Sequence, residues 1–396
     1  MKILLITEWF PPVKGAGAKR TRMMAEILQA QGHQVTVLTS LPSYPTGILP
    51  AEYRWKLWCR ENLKGLDVLR IYEYPTKNIG IFKRILRELS FCLSSLLATI
   101  ILAPYDAVIV SSPSFLSGLA GLFAARKTKL YFDIRDLWPD SLVDLKILSK
   151  NGFLIRILEK LERKYYQKAT KITVAAPFFQ QHLISEGIPD KKVILMINCA
   201  DTNIFRPRII NRSNFGFKND DFICLYLGNH AKLYDLKNVL YAAQILKKYP
   251  KIKFLLVGEG EEKEDLIHLT KKLNLTKVIF WPEKTYKEIP KIINLADVTL
   301  MTNLPKNIVP SKASEYLSSG KPVIASTGGY SKQILEDYQA GLTYPAGDPQ
   351  ALTKIILKLY RNNNLKRTMG RNARKLALEV FSKKIFERKL NHLFTD

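Results

Sequence analysis

The chain has 396 residues, about two to three times the length of an ordinary domain, and its length therefore predicts two hydrophobic cores. A composition of 47% hydrophobic and 24% charged residues excludes a disordered or fibrous protein. The four cysteines lie far apart without a neighbouring histidine, which argues against a disulfide scaffold or zinc module and favours a reducing compartment. The formal net charge of +26 predicts an anionic partner: a phosphorylated small molecule, a membrane surface or nucleic acid.

Apolar runs of four to six residues alternate with helical stretches, which is typical of βαβ units. In the first half, the predicted strands are Lys2–Thr7, Gln34–Thr39, Val68–Tyr72, Ala107–Ser111, Leu130–Ile134, Lys171–Ala175 and Val193–Ile197. In the second half, they are Phe222–Leu227, Phe254–Val257, Val278–Trp281, Val298–Met301 and Val323–Ala325. The first run is short and Glu8 follows it, so we interpret it as a buried strand and not as a signal peptide. The pattern predicts two doubly wound α/β domains in tandem.

A polar stretch that follows Asp201 and Pro207 marks the predicted boundary between these domains. We place an N-terminal domain at residues 1–205 and a C-terminal domain at residues 206–381. A basic segment follows at residues 382–396, and its pattern predicts an amphipathic helix.

The segment Phe91–Ala103 is more apolar than a soluble helix usually needs to be, and Lys83, Arg84 and Arg87 precede it. It is too short to span a bilayer. Two interpretations stay open. One is a buried or subunit-facing core helix, and the other is an interfacial helix that dips into a membrane with its basic flank on anionic head groups.

A loop with Gly15 and Gly17 follows the first predicted strand. Its backbone can approach a ligand closely, and the N-terminus of the helix beyond it favours a phosphate or a sugar hydroxyl. The spacing is not GxGxxG, because Arg20 stands three residues after Gly17, and no acidic residue ends the second strand. These departures argue against a dinucleotide fold, and a tight turn without a ligand is the alternative to a binding loop.

The stretch PSKASEYLSSG predicts a helix that begins near Pro310 or Ser311 and ends at Gly320. Ser311 and Glu315 lie four residues apart and share a helix face. An acid at that place can accept hydrogen bonds from ribose hydroxyls, while Ser311, Lys312 and the free N–H groups of the first turn suit a diphosphate. A solvated surface helix is the alternative.

Over nearly the whole chain, these motifs resemble the retaining glycosyltransferases of family 4 with the GT-B fold, which include enzymes of bacterial cell-envelope polysaccharides. The resemblance rests on MKILLITEWFPPVKGAGAKR, YFDIRDLWPDS, FLLVGEGEEKEDL, IPKIINLADVTL and PSKASEYLSSGKPVIAS. The stretch DLWPDS is similar to the subgroup that transfers N-acetylated or deoxy amino sugars in O-antigen and capsule synthesis. The resemblance implies two Rossmann-like domains that face a central cleft, and a C-terminal helix that can cross back to the N-terminal domain.

The resemblance also implies a nucleotide-sugar donor, with UDP favoured, held mainly by the C-terminal domain. A lipid-linked or glycan acceptor would be held mainly by the N-terminal domain. Glu315 matches the second glutamate of the family's E-x7-E motif and would bind the ribose. Pro310, Ser311 and Lys312 would border the diphosphate, which the loop with Gly15 and Gly17 would face.

Three positions depart from the family pattern. Asn307 stands where the first glutamate is expected, so an amide or another group must make the usual contact with the donor sugar. Arg135 stands where the family has a histidine, so no histidine base is assigned. Asp136 beside it is expected to orient the acceptor hydroxyl or the donor sugar, with a cap on the next helix as the alternative. Of Lys232 and Lys237, which lie near the family's phosphate-binding pair, we favour Lys232.

The resulting hypothesis is sugar transfer with retention, in which the departing phosphate oxygen takes the acceptor proton and the protein stabilises the charge of the leaving group. The catalytic candidates are Asp136, Arg135 and Lys312. The sequence has no DxD motif, so we predict neither a metal ion nor another cofactor. We expect a cytoplasmic enzyme at the inner face of the cell membrane.

Two other functions are the alternatives to this hypothesis. The first is a nucleotide-sugar epimerase or hydrolase of the same fold. The second is a basic nucleic-acid-binding protein, in which we would expect the basic residues to cluster on one element. Residues 1–200 and 201–396 carry net charges of +12 and +14, and this even division disfavours nucleic acid as a partner.

Overall fold

The computed structural model describes residues 1–77, 80–102, 104–139, 149, 152–302 and 310–395. It divides into two compact units. The N-terminal unit comprises Met1–Met196 together with Glu387–Asp396, and the C-terminal unit comprises Ile197–Phe386. The end of the chain therefore returns to the N-terminal unit.

Over the described residues, the N-terminal unit has an eight-stranded sheet. Its strands are β1 Lys2–Thr7, β2 Gln34–Ser40, β3 Trp58–Leu63, β4 Leu66–Ile71, β5 Ala107–Ser111, β6 Lys129–Ile134, β7 Lys171–Val174 and β8 Val193–Leu195. The order is β3-β4-β2-β1-β5-β6-β7-β8, and all neighbours are parallel except β3, which runs antiparallel to β4. Since β1 is central, its residues after Lys2 are buried, which explains its continuous apolar run.

The helices of this unit are α1 Ala16–Ala30, α2 Ile81–Ile101, α3 Ser117–Ala124, α4 Phe153–Lys168 and α5 Pro177–Ser185. Helix α2 packs on α3, and residues of both contribute to a core that joins them to the sheet. The apolar segment predicted over 91–103 is the second half of α2, and residue 103 lies outside the described residues. Within the described ranges, no helix is long and apolar enough to cross a bilayer.

The C-terminal unit has a six-stranded parallel sheet over the described residues, in the order β11-β10-β9-β12-β13-β14. The strands are β9 Phe222–Leu227, β10 Ile252–Val257, β11 Val278–Trp281, β12 Val298–Met301, β13 Val323–Ala325 and β14 Gly341–Thr343. The helices are α6 Leu236–Ile245, α7 Lys263–Lys272, α8 Ile289–Leu295, α9 Ser311–Ser318, α10 Gly329–Asp337, α11 Pro349–Arg361 and α12 Asn363–Glu379. The last helix, α13, spans Lys383–Asn391 and enters the N-terminal unit. Both sheets are doubly wound, as in the GT-B fold.

The chain changes units after residues 196 and 386, whereas the sequence pattern placed the changes after residues 205 and 381. Contacts of the connecting segment explain the first difference. Ala200 forms a parallel bridge with Ser382, and the guanidinium of Arg374 donates to the carbonyl oxygens of Thr202 at 3.0 Å and Phe205 at 2.8 Å. Residues 197–205 are thus fastened to the C-terminal unit.

The end of the chain is anchored in the N-terminal unit by packing and by polar contacts. Leu390 is fully buried, and Lys389 Nζ donates to Leu195 O at 2.5 Å, at the end of β8. The ring of Phe394 lies 5.2 Å from that of Tyr131 on β6. Residues 387–395 therefore complete the packing of the N-terminal unit on the side of β6 and β8.

Candidate functional site

A buried ion pair joins α1 to β6 near the carboxyl ends of the strands in the N-terminal sheet. The Asp133 carboxylate accepts from Arg20 Nη2 at 2.6 Å and Nε at 3.0 Å, from Ser111 Oγ at 2.8 Å and from Thr173 Oγ1 at 2.7 Å. Burial alone would raise the pKa of Asp133, but the charge and hydrogen bonds of Arg20 outweigh it and lower the pKa. The pair fixes α1 beside the end of β6.

Arg135 and Gly17 are in contact at these strand ends. A Cβ atom on Gly17 would lie 1.9 Å from Arg135 Nη1, so any side chain at position 17 displaces the guanidinium. Arg135 Nε donates to Ser112 O at 2.5 Å, and the Arg135 backbone N–H donates to Ser112 Oγ at 2.8 Å. Gly15 precedes α1 with φ of 129°, which favours glycine. The structure thus brings the predicted glycine loop and the predicted catalytic arginine together.

Gly17→Ala is expected to lower turnover about tenfold, because the added methyl group moves the Arg135 guanidinium. In an Arg135→Ala background, the same change should have little further effect, since the group it displaces is gone. Turnover of the wild type, both single variants and the double variant measures the coupling. Equal effects of Gly17→Ala in the two backgrounds, at unchanged melting temperatures, would contradict this account.

The interfacial interpretation of α2 expected Arg87 in an exposed basic flank, and the burial of Arg87 contradicts this part of it. Its side chain is buried on the inner face of α2, where Nε lies 3.0 Å from Glu8 Oε1 and 3.5 Å from Glu73 Oε1. Burial raises the pKa of both carboxyls, and the charge of Arg87 opposes the rise. Of the three basic residues before the apolar segment, Lys83 is exposed and Arg84 is half-buried.

Asp136 borders a small cavity of about 40 Å³ in the N-terminal unit. Its other lining residues include Ser112, Phe115, Trp138 and Tyr165. Asp136 is exposed to solvent, yet desolvation raises the pKa of its carboxyl more than Arg135 and Arg84 lower it. Residues 140–148, which would contain the helix that Asp136 could cap, lie outside the described residues.

In the C-terminal unit, Lys312 lies beside the loop that follows β9. Lys312 Nζ is 3.3 Å from Tyr226 OH, and it lies 4.4 Å and 4.7 Å from the ring centroids of Tyr226 and Tyr234. A Cβ atom on Gly228 would lie 2.6 Å from the same Nζ. In the part of the chain that the structure describes, no carboxylate lies within 4.0 Å of this ammonium. Desolvation lowers the pKa of Lys312 to about 8, although Glu315 opposes the shift.

Helix α9 carries Lys312 and Glu315 together. Glu315 is 6% exposed, and the neighbouring Tyr316 OH accepts from the Leu227 N–H at 2.8 Å, which fixes α9 against the end of β9. Pro310 stands at the N-cap and offers no side-chain cap, and the Ala313 N–H donates to the Pro310 carbonyl oxygen at 3.0 Å. Pro310, Ser311, Lys312 and Glu315 therefore share one helix start beside the loop after β9.

The loop after β9 also contains His230, which the sequence analysis did not single out. His230 is fully buried, and within the described residues neither ring nitrogen has a hydrogen-bond partner. Burial lowers the pKa of His230 to about 4, so its ring is neutral at pH 7. The sequence signal for it was only its position, two residues after Gly228. The predicted ligand Lys232 is exposed in this loop, and Asn307 lies outside the described residues.

The outer face of α2 is a third surface with a possible function. It exposes a row of apolar side chains, each between 46% and 76% accessible: Phe82, Ile85, Leu89, Leu93, Leu97 and Ile100. Phe91 and Ser95 on the opposite face are fully buried. Because the residues of the row are spaced by three or four, they form one continuous stripe, which we call the α2 stripe.

Comparison with known proteins identifies the family. The sequence model described as "Glycosyl transferases group 1" matches residues 207–376, and that described as "Glycosyl transferase 4-like domain" matches residues 15–199. The chain is a GT-B glycosyltransferase of family 4 type. The chain is 25% identical over 356 residues to WcaI of Escherichia coli (strain K12), which is named for a glycosyl transferase role in colanic acid biosynthesis. The aligned region covers 85% of this chain and 86% of WcaI.

Solved structures share the fold of this glycosyltransferase. Sucrose-phosphate synthase from Thermosynechococcus elongatus superimposes with a TM-score of 0.78 at 19% identity, covering 99% of this chain and 98% of the synthase. HepE of Anabaena, solved with UDP-glucose, gives a TM-score of 0.72 at 16% identity with the same coverage. These similarities confirm the predicted GT-B fold, and the two family models confirm the predicted enzyme class.

Proposed function

We propose that this glycosyltransferase transfers an N-acetylated or deoxy amino sugar from a UDP-sugar to a lipid-linked or glycan acceptor in cell-envelope polysaccharide synthesis. The observation that carries the donor assignment is the Lys312 ammonium in the first turn of α9. This ammonium is desolvated, and no carboxylate among the described residues lies within 4.0 Å of it. Such a site favours a diphosphate. Two relatives support the proposal: HepE, which has the same fold, was solved with UDP-glucose, and WcaI is named for colanic acid biosynthesis.

In the proposed reaction, the bond from the anomeric carbon to the diphosphate oxygen breaks, and a bond to the acceptor hydroxyl oxygen forms on the same face of the sugar. The acceptor proton goes to the departing phosphate oxygen. Lys312 and the N–H groups of α9 stabilise the negative charge of the leaving UDP. We propose that the protein stabilises this charge without a metal ion.

A donor and acceptor panel tests this proposal. Purified protein is incubated with several nucleotide sugars, with and without membrane extract as a source of acceptor, and UDP release and products are measured. We expect UDP release that depends on the acceptor, and NMR of the product should show the anomeric configuration of the donor. Release of free sugar or an epimer without acceptor would favour the hydrolase or epimerase alternative, and an inverted product would exclude retention.

We further propose that Asp136 orients the acceptor hydroxyl. Asp136→Asn should lower turnover at least tenfold at an unchanged melting temperature, since an amide keeps the shape but lacks the carboxylate charge. Because the pKa of Asp136 is raised, turnover should also fall as the pH drops through that pKa, and Asp136→Asn should lose this acid limb. A cap tolerates Asn, so near wild-type turnover in Asp136→Asn would favour the capping role.

We also propose that the α2 stripe attaches the enzyme to an anionic membrane, where a lipid-linked acceptor is met. Its apolar side chains would enter the head-group region, and Lys83 at the start of α2 would contact anionic lipid. Of the three predicted basic residues, Lys83 alone then contributes its charge to membrane attachment. The apolar row then carries most of the attachment, so high salt should release the protein only in part.

Leu93→Gln with Leu97→Gln is expected to weaken binding to anionic vesicles about tenfold or more, because both side chains are over half exposed in the stripe. The matched control is Ile209→Gln with Leu378→Gln, which removes exposed apolar side chains of the C-terminal unit. Vesicle cosedimentation measures the effect. A wild type that ignores anionic vesicles but dimerises through the stripe would show that α2 faces a subunit.

A further inference from the structure

A basic cleft of about 850 Å³ lies in the C-terminal unit, away from the loop after β9. Lys321 and Pro322 line it just before β13, and Asp297 lines it just before β12. These positions are the amino ends of parallel strands, whereas Gly228 follows the carboxyl end of β9. The cleft therefore lies at the amino ends of the strands of this sheet, and the proposed donor site lies at their carboxyl ends.

The lining of this basic cleft carries a large excess of positive charge. Six basic side chains contribute to it: Arg212, Lys321, Lys366, Arg367, Arg371 and Arg374. Asp297 is the acidic side chain among the lining residues, so their net charge is +5. A concave, partly desolvated surface with one sign of charge concentrates the field and attracts ions of the opposite sign.

Both carboxylate oxygens of Asp297 already accept hydrogen bonds from cations. Asp297 Oδ2 accepts from Arg212 Nη2 at 2.9 Å, and Oδ1 accepts from Lys366 Nζ at 2.6 Å. The Lys321 ammonium donates to the neutral carbonyl oxygens of Asn294 and Ala296 at 3.1 and 2.8 Å. Desolvation lowers the pKa of Lys321 to about 8, and Arg212 and Lys366 lower it further, against Asp297. These contacts orient the cations, and the one carboxylate neutralises only part of their charge.

Two arginines of α12 complete the cleft on its solvent side. Arg367 and Arg371 are both exposed and lie four residues apart, so they share one face of the helix. Like charges at this spacing destabilise a helix. Arg371 Nη2 donates to Thr368 Oγ1 at 3.2 Å, and within the described residues neither guanidinium has a carboxylate within 4.0 Å. A bound anion would relieve this repulsion.

We propose that the basic cleft binds the phosphate group of a second, phosphorylated ligand that is distinct from the sugar donor. Arg367 and Arg371 supply guanidinium forks for the phosphate oxygens, and the partly buried cations around Asp297 supply the surrounding field. Because the cleft lies at the opposite ends of the strands from Lys312, its occupant does not compete with the donor diphosphate. A phosphorylated small molecule and a phospholipid head group both present this chemistry.

Calorimetric titration with inorganic pyrophosphate tests the proposal, with excess UDP present to fill the donor site. Arg367→Glu with Arg371→Glu should weaken pyrophosphate binding about 100-fold, since two charge-assisted contacts are lost. The matched control, Lys271→Glu with Lys272→Glu, changes the charge of the same unit equally on the exposed surface of α7 and should bind as the wild type does. Arg367→Gln with Arg371→Gln, which adds no negative charge, should also lose binding.

Cosedimentation with phosphatidylglycerol vesicles distinguishes the two sources of phosphate. Loss of pyrophosphate binding alone in the glutamate pair supports a soluble ligand, and loss of vesicle binding in that pair supports a lipid head group. If the glutamate pair matches its control in both assays, or if the wild type binds neither probe, the proposal is overturned. The same proteins should all bind UDP with equal affinity. If none of them binds UDP, that result contradicts the proposed donor and leaves the proposal for the basic cleft untouched.

Discussion

Replacing Lys312 by methionine is expected to weaken UDP binding about 10- to 100-fold while leaving the melting temperature unchanged or higher. The ammonium is desolvated and has no carboxylate within 4.0 Å among the described residues, so the folded protein gains little from it. A charge held at a cost in stability is typical of a binding site. Calorimetry with UDP and thermal unfolding of the same samples measure the two effects.

Lys321 provides a matched control for this prediction. It is also a lysine of the C-terminal unit whose pKa burial lowers to about 8, but its ammonium donates to two carbonyl oxygens. Lys321→Met should lower the melting temperature, because these carbonyls lose their donor, and should leave UDP binding unchanged. If Lys312→Met destabilises the protein as Lys321→Met does and still binds UDP, Lys312 has a structural role.

The pKa of Lys312 also predicts a pH dependence. Below about pH 8 the ammonium is charged, so UDP affinity should fall as the pH rises through about 8. Lys312→Arg should bind UDP equally over this range, since a guanidinium stays charged. The stability effect has the opposite sign: burial of the charge costs free energy below pH 8, and this cost disappears as the pH rises towards the ordinary value of 10.5.

Arg20→Met is expected to destabilise the N-terminal unit by about 3–5 kcal/mol, because it leaves the fully buried Asp133 carboxylate without its counter-charge. Arg22→Met on the same helix is the control, since Arg22 pairs with Glu26 at the surface and such pairs contribute under about 1 kcal/mol. Thermal unfolding followed by circular dichroism, with hydrogen exchange of β6, measures the loss. Equal melting temperatures of the two variants would contradict the prediction.

A second substitution shows whether the buried charge is the cause. Adding Asp133→Asn to Arg20→Met removes the uncompensated charge, so part of the lost stability should return. Because the pKa of Asp133 is lowered in the folded state, the stability it contributes is present above its ordinary pKa and is lost as the pH falls through the lowered pKa. The double variant should lack this acid-dependent loss.

The strands that build the two sheets follow from the apolar runs of the sequence, and the comparisons confirm the GT-B fold. Two strands escaped the pattern. Strand β3 (Trp58–Leu63) is an edge strand with alternating exposed and half-buried residues, so it lacks a continuous apolar run. Strand β14 (Gly341–Thr343) is another short edge strand, and it begins with glycine. Both lack the run of large apolar residues that the correctly predicted edge strands β8 and β11 have, and hydrophobic patterning therefore missed them.

The candidate site shows the same division between local and distant information. The start of α9 could be predicted, because proline, serine, lysine and glutamate follow one another within one helix. The burial of Arg87 could not, since its partners Glu8 and Glu73 lie on other elements and only the fold brings them together. The contact of Gly17 with Arg135 likewise joins residues far apart in sequence. The metal independence and the assigned site residues stay predictions.

The return of α13 to the N-terminal unit has a consequence for how the chain is made. In sequence terms, the 190 residues of Ile197–Phe386 are inserted into the N-terminal unit. At about 5–20 residues per second, the ribosome needs roughly 10–40 s to add that insertion before Glu387 emerges. During this time the side of β6 and β8 that Leu390 and Phe394 cover remains open. The C-terminal unit, although made later, can close its own core first, and the N-terminal unit is the last to be completed.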